Sequence, residues 1–198
     1  RTVVVGETIR DTYVSCDRPD VASESPCLSL RPIERASFDG GAAVIALHAA
    51  ALGAETTLIT ALPDTAEGEA FTRRMSDAGV RVRSIAHEGA MLEKERYLVG
   101  RDKVVKIDRV RPLTLDAEAR ATLLRLVRDA CQGGVDAAIV SDFGNGLLTP
   151  RSLEELSRSL RRSSKIVAGD VSGRRSSLTS LREMDLVTPT EIELRESV

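Results

Sequence analysis

The chain has 198 residues and a mass of 21.4 kDa, with 42% hydrophobic and 29% charged residues. That is the composition of a folded globular domain, and it excludes disorder as a description of the whole chain. Its 28 basic and 30 acidic side chains leave a formal charge of −2, without the basic excess of a protein that coats nucleic acid.

The longest uncharged apolar run, Gly40 to Leu52, is interrupted by His48 and is shorter than the roughly 20 residues that cross a bilayer. No membrane partner is therefore expected. The chain starts at Arg1 with no charged-then-apolar leader, which reads as a trimmed or processed N-terminus. Cys16, Cys27 and Cys131 are odd in number and form no CxxC pattern, and His48 and His87 are the only histidines. A structural zinc site is not expected, and a reduced, cytoplasmic compartment is. Asn145 is the sole Asn and Gln132 the sole Gln, so few side-chain amides exist to contact a polar substrate.

In chain order, Thr2 to Val5 is a β-branched run that reads as a buried strand entering a turn at Gly6. Gly41 to Leu52 predicts a buried helix ended by Gly53, Glu55 to Leu62 a strand, and Ala66 to Ala78 a helix closed by Gly79. Arg81 to Ile85 alternates as a strand with one exposed face. Glu93 to Val99 and Lys103 to Val110 flank Gly100-Arg101-Asp102 and predict a β-hairpin. Leu115 to Ala130 has apolar residues at helical spacing, and Ala137 to Val140 is a strand leading into Gly144-Asn145-Gly146. A helix over Pro150 to Leu160 is opened by Thr149 as cap and Pro150 at its first position. Ile166 to Ala168 and Asp185 to Val187 are further strands, and Glu191 begins another helix.

Repeated strand–helix–strand units predict an α/β fold, a parallel sheet with helices on both faces. Two stretches break the rhythm, at about 13–38 and 93–110, and predict β insertions that together form a small second subdomain. Ligands of open α/β sheets sit at the carboxyl ends of the strands, so the loops there are where chemistry is expected.

Those loops carry Gly6-Glu7-Thr8-Ile9-Arg10-Asp11, Phe38-Asp39-Gly40-Gly41-Ala42-Ala43, Pro63-Asp64-Thr65, Ser141-Asp142-Phe143-Gly144-Asn145-Gly146 and Thr188-Pro189-Thr190-Glu191-Ile192-Glu193. In this order and spacing the sequence resembles the ribokinase (PfkB-type) family of sugar kinases, nearest to the branch that phosphorylates heptose 7-phosphate. The resemblance implies a Rossmann-like ribokinase fold with a β lid over the sugar at the two insertions. It also implies an ATP- and Mg²⁺-dependent phosphoryl transfer to a sugar hydroxyl, and a homodimer contact through the lid.

Carried over residue by residue, Asp11 is where the family grips sugar hydroxyls, though it also reads as a solvated turn residue. Gly40 and Gly41 match the turn that lets backbone approach the sugar. Lys94 and Arg96 match a basic pair for a substrate phosphate, or are solvated strand charges. Asp142, Gly144, Asp170 and Thr190 fall at nucleotide-contacting positions, and Glu193 matches a glutamate that organises Mg²⁺ and phosphate. Five positions depart. Glu7 replaces the family's first Asp, Val44 a sugar-contacting Asn, Asn145 and Ser172 two lysines, and Thr190 an Asn. The family's glycine-rich turn ending in a catalytic Asp has no counterpart, so no catalytic residue is assigned. The sequence reads as the N-terminal two-thirds of a kinase domain, or as a degenerate pseudo-kinase that binds without turning over. An NAD(P) enzyme is disfavoured, because the first turn lacks GxGxxG.

Overall fold

The computed structural model describes residues 1–172 and 178–197. Six strands form one parallel sheet in the order β12-β11-β10-β1-β6-β7. They are β1 (Thr2–Gly6), β6 (Thr56–Pro63), β7 (Val80–His87), β10 (Val135–Asp142), β11 (Ser164–Val171) and β12 (Leu186–Val187). β1 and β6 are buried along their whole length, as near-continuous apolar runs must be when both faces of a sheet are covered.

Side chains alternate across that sheet and build two cores. Val3, Val5, Ile59 and Val140 pack with α3 (Ala117–Ala130) and α4 (Pro150–Ser163) through Leu123, Val127, Leu153 and Leu156. Val4 and Leu58 pack on the other face with α1 (Ala42–Ala51) and α2 (Ala66–Asp77) through Ala43, Ala46, Phe71 and Met75. At roughly 25 cal/mol per Å² of apolar surface, burying a side chain of this size contributes about 2 kcal/mol. The two cores therefore dominate stability. Caps set the helix starts: Asp116 accepts from the Ala119 amide, so α3 begins two residues later than Leu115. Thr149 and Ser152 form a capping box that opens α4 with Pro150 at its first position. A short last helix, α5 (Glu191–Glu196), follows β12.

The lid is a four-stranded sheet in the order β5-β2-β8-β9, made of β2 (Thr8–Cys16), β5 (Pro32–Gly41), β8 (Leu92–Val99) and β9 (Asp102–Arg109). β2 is antiparallel to β5 and parallel to β8, and β8 and β9 are the expected hairpin. A two-stranded ribbon of β3 (Asp20–Val21) and β4 (Leu28–Ser29) extends from the β2–β5 connection.

The first lid segment starts earlier and ends later than 13–38. Asp11 is a β2 residue facing Phe38 of β5, not part of a loop after β1, and Gly40 pairs with Ile9. The cause is that Thr8–Cys16 hydrogen-bonds on both sides, so its Arg10 and Asp11 belong to a strand despite their charge. At Gly41 the chain turns from lid strand into α1 at φ +64°, a left-handed conformation that favours glycine. A Cβ there would lie 2.4 Å from the Glu7 carbonyl oxygen.

Candidate functional site

Four of the five expected acceptor residues lie on one face of the lid. Strand register places Phe38, Asp11, Lys94 and Asp108 in one row, and Ala36, Tyr13, Arg96 and Lys106 in the row alternating with it on the same face. Arg96 Nη1 donates to Asp11 Oδ1 at 2.5 Å, and its guanidinium lies 5.3 Å from the centre of the Tyr13 ring. Tyr13 meets Phe38 edge-on at 5.9 Å. Gly40 lies against the same carboxylate, where a Cβ would fall 2.2 Å from Asp11 Oδ2. Asp11 is thus held in one orientation with part of its surface open, as a carboxylate must be to accept bonds from ligand hydroxyls.

Lys94 joins the lid to the body. Its ammonium sits 5.1 Å from the centre of the Phe143 ring, which belongs to the turn after β10. Burial lowers the Lys94 pKa, the neighbouring Lys106 and Arg96 lower it further, and Asp108 and Asp11 oppose them. Lys106 also pairs with Asp108 at 3.0 Å. Three cations therefore share this face, one more than the Lys94–Arg96 pair expected from sequence. Lys106 was within reach of sequence reasoning, since a hairpin counted over Gly100-Arg101-Asp102 sets it opposite Arg96, and the structure reaches that pairing through a register shift at Tyr97/Leu98.

The turn after β10 has an unforeseen organiser. The Glu7 carboxylate is 1% exposed and accepts from the amides of Phe143 (2.8 Å), Asn145 (2.9 Å) and Leu147 (3.1 Å) and from Asn145 Nδ2 (3.1 Å). Successive amides converging in this way form an anion-binding nest, and its anion is the chain's own carboxylate. Burial raises the Glu7 pKa, the nearby Asp142 raises it further, and the three amides partly offset both. Two of the five departures are therefore one contact. The longer acid at position 7 reaches an amide at position 145, and Asn145 is buried against Glu7. Position 145 carries no cation, and its side-chain amide is spent on Glu7.

The residues expected on the nucleotide side lie at or just beyond the carboxyl ends of β10, β11 and β12. Asp142 is buried and accepts from the Gly144 amide at 3.2 Å, while its carbonyl takes the Ser172 amide at 2.8 Å. Asp170 accepts from the Thr188 hydroxyl at 2.8 Å. Thr190 and Glu193 cap α5 reciprocally: the Thr190 amide donates to Glu193 Oε2 at 2.7 Å, and the Glu193 amide donates to Thr190 Oγ1 at 3.3 Å. Glu193 is buried in this cap instead of lying on an open helix surface. Gly173, beside Ser172, lies outside the described residues.

Among the described residues no three His, Cys, Asp or Glu side chains gather as a metal cage. A Mg²⁺ carried on nucleotide phosphates needs only one or two carboxylates, and the Glu193 carboxylate is already engaged by its cap.

An α/β body, a four-stranded lid across the carboxyl ends of β1 and β10, and facing acidic and basic lid side chains make a specific combination. Solved structures share the fold. Phosphofructokinase-2 from Escherichia coli in complex with fructose-6-phosphate superposes with a TM-score of 0.73 at 18% identity, covering 98% of this chain and 62% of that one. The fold is that of the ribokinase-like carbohydrate kinases. Arabidopsis thaliana ribokinase complexed with ribose and ATP has the same ribokinase-like fold, with a TM-score of 0.68 at 19% identity over 98% of this chain and 61% of that one.

No family model matches the sequence. Curated relatives do: the Bifunctional protein HldE of Mesorhizobium japonicum is 26% identical over 99% of this chain and 39% of its own length. That of Pseudomonas fluorescens SBW25 is 29% identical over 99% and 40%, and that of Koribacter versatilis 30% over 78% and 32%. The chain spans about two-fifths of the length of the first two of these relatives. No helix among the described residues is long and apolar enough to cross a membrane.

Proposed function

We propose that this chain forms the lid and acceptor half of a carbohydrate kinase, and that its acceptor is a sugar phosphate of the heptose 7-phosphate type. The observation that carries the reading is the lid face on which Asp11, steadied by Arg96 and Gly40, lies beside Lys94 and Lys106 and opposite Phe143. Asp11 accepts sugar hydroxyls, the lysines meet the phosphate, and lid closure removes water from between them. ATP is the donor in this reading, placed at the carboxyl ends of β10 and β11 beside Asp142, Gly144, Asp170 and Thr190, with Mg²⁺ on its phosphates. No general base is assigned among these residues. The location is the cytoplasm, and a second copy covers the lid and its ribbon, where Val21, Leu28 and Ile33 are exposed.

A second reading, a pseudo-kinase that binds without transfer, is favoured by the Glu193 carboxylate being engaged in a helix cap. Calorimetric titration of the chain with heptose 7-phosphate tests the acceptor site that both readings share. Saturable binding is expected, weakened about tenfold by Asp11→Asn, the loss of one charge-assisted contact. Heat uptake unaffected by Asp11→Asn, or no binding at all, removes the sugar-phosphate reading.

A further inference from the structure

A cavity of about 770 Å³ lies away from the lid face just described. Its walls are two chain segments, 86–91 and 109–116, with Ala119 of α3 closing it. Segment 88–91 leads from β7 of the body into β8 of the lid, and 110–116 leads from β9 back into α3. The cavity therefore sits between two of the covalent connections through which the lid is joined to the body.

Its lining has the make-up of a ligand pocket, an apolar floor with a few convergent charges, and its volume falls in the usual range. Met91 is buried, and Leu113, Leu115 and Ala119 are partly buried against the body's core. Among the described residues, two of its charges are engaged by neighbours, and the Arg111 and Glu88 side chains are not. Asp116 is taken up by the Ala119 amide, and the Arg109 Nε donates to Glu95 at 2.8 Å. Arg111 has no hydrogen bond or ion pair among the described residues. His87 uses Nδ1 on the Glu88 carbonyl at 2.9 Å, and the Glu88 side chain is exposed.

One wall is tied to the candidate site and the other to the body. The Leu113 amide donates to the Asn145 carbonyl at 2.7 Å, which ties one wall to the turn organised by Glu7. Arg109 ties the same segment to Glu95 in the lid, and the Met91 amide donates to Glu67 of α2 at 3.2 Å. A molecule wedged here changes the relative position of the two connections, and with them the lid.

We infer that this cavity is an effector site for a small anion with an apolar body, held by Arg111 over Met91, Leu113 and Leu115, and that its occupancy sets the lid against the body. The site is separate from the proposed acceptor face, so its ligand is not the sugar phosphate.

An anilinonaphthalene sulfonate is a suitable probe, an apolar ring system with one fixed negative charge, and the chain has no Trp to interfere with its fluorescence. Titration of the full chain is expected to show saturable one-to-one binding. Arg111→Glu should weaken it about tenfold or more, and Ala119→Leu, which puts bulk into the cavity, should abolish it. Arg151→Glu on α4 serves as a surface control, and thermal melts confirm that each variant is folded. Hydrogen exchange of amides 92–109 should slow with the same midpoint as the fluorescence. Non-saturable binding, binding indifferent to both cavity variants, or binding without a change in lid exchange overturns the inference. Because neither variant touches Asp11 or Lys94, heptose 7-phosphate titration of the same variants separates its failure from failure of the kinase reading.

Discussion

Two carboxylates in this molecule are equally hidden and electrostatically opposite. Glu7 in the body and Glu95 in the lid are each 1% exposed. Glu7 is held by three backbone amides and a side-chain amide with Asp142 nearby, so burial and that neighbour raise its pKa. For Glu95 burial also acts upward, but hydrogen bonds and charge from Arg109 (2.8 Å) and Arg35 (2.6 Å) outweigh it and lower the pKa. Partial dipoles orient a carboxylate without cancelling its charge, whereas guanidinium groups do both. The body uses its buried acid to fix the shape of a turn. The lid uses its own to draw β5 and β9 across β8, since Arg35 and Arg109 come from the strands at the two sheet edges.

The sharpest way to break the comparison is to remove each acid. Glu7→Ala leaves three amides and Asn145 Nδ2 facing a buried void, and is expected to cost about 4 kcal/mol in urea denaturation. Hydrogen exchange should show residues 143–147 losing protection with it. Glu95→Ala frees two arginines whose side chains are already more than half exposed and can hydrate where they are. Its expected cost is smaller, about 1–2 kcal/mol, and it should shrink as salt is raised because the pair is partly screened. Equal costs would mean that the turn and the lid are organised by the same physics.

Much of the body was legible in the sequence. β1, β6 and β10 announce themselves as apolar runs ending at turns, and the helices are bounded by Gly53, Gly79 and the Thr149–Pro150 cap. The lid strand Thr8–Cys16 was not, because Arg10 and Asp11 break its apolar alternation, and only pairing on both sides makes it a strand. The role of Glu7 was hidden for a different reason. Its partners lie 136 to 140 residues away and reach it only because β1 and β10 pair in parallel, setting Gly6 opposite Ser141. Residue by residue, Glu7 and Asn145 look like two independent losses from a kinase pattern. The available signal was that both positions depart from the pattern the sequence resembles, and the chain's sole Asn stands at one of them. Lys94, Arg96 and Asp11 were legible as chemistry but not as neighbours. Their grouping needed the register of a lid whose limits the sequence placed several residues too far in.

The smallest effect is the most discriminating, because the two acids should respond to pH with opposite signs. From an ordinary value of 4.5, the native Glu7 carboxyl takes up a proton at higher pH than its unfolded counterpart. Its contribution to stability therefore grows as pH falls from its native pKa towards 4.5, and declines as pH rises through that window. The native Glu95 carboxyl holds its charge below 4.5. Its contribution is complete above that pH and is lost as pH falls through its depressed native value. Urea midpoints measured against pH for the parent, Glu7→Gln and Glu95→Gln resolve the two. The gap between parent and Glu7→Gln should shift in the parent's favour on acidification from neutrality to pH 4.5, while the gap to Glu95→Gln stays flat and closes only below. Parallel curves would show that the nest neutralises Glu7 as fully as two arginines neutralise Glu95. The turn's amides would then be strong enough to hold a ligand's anion in place of the chain's own.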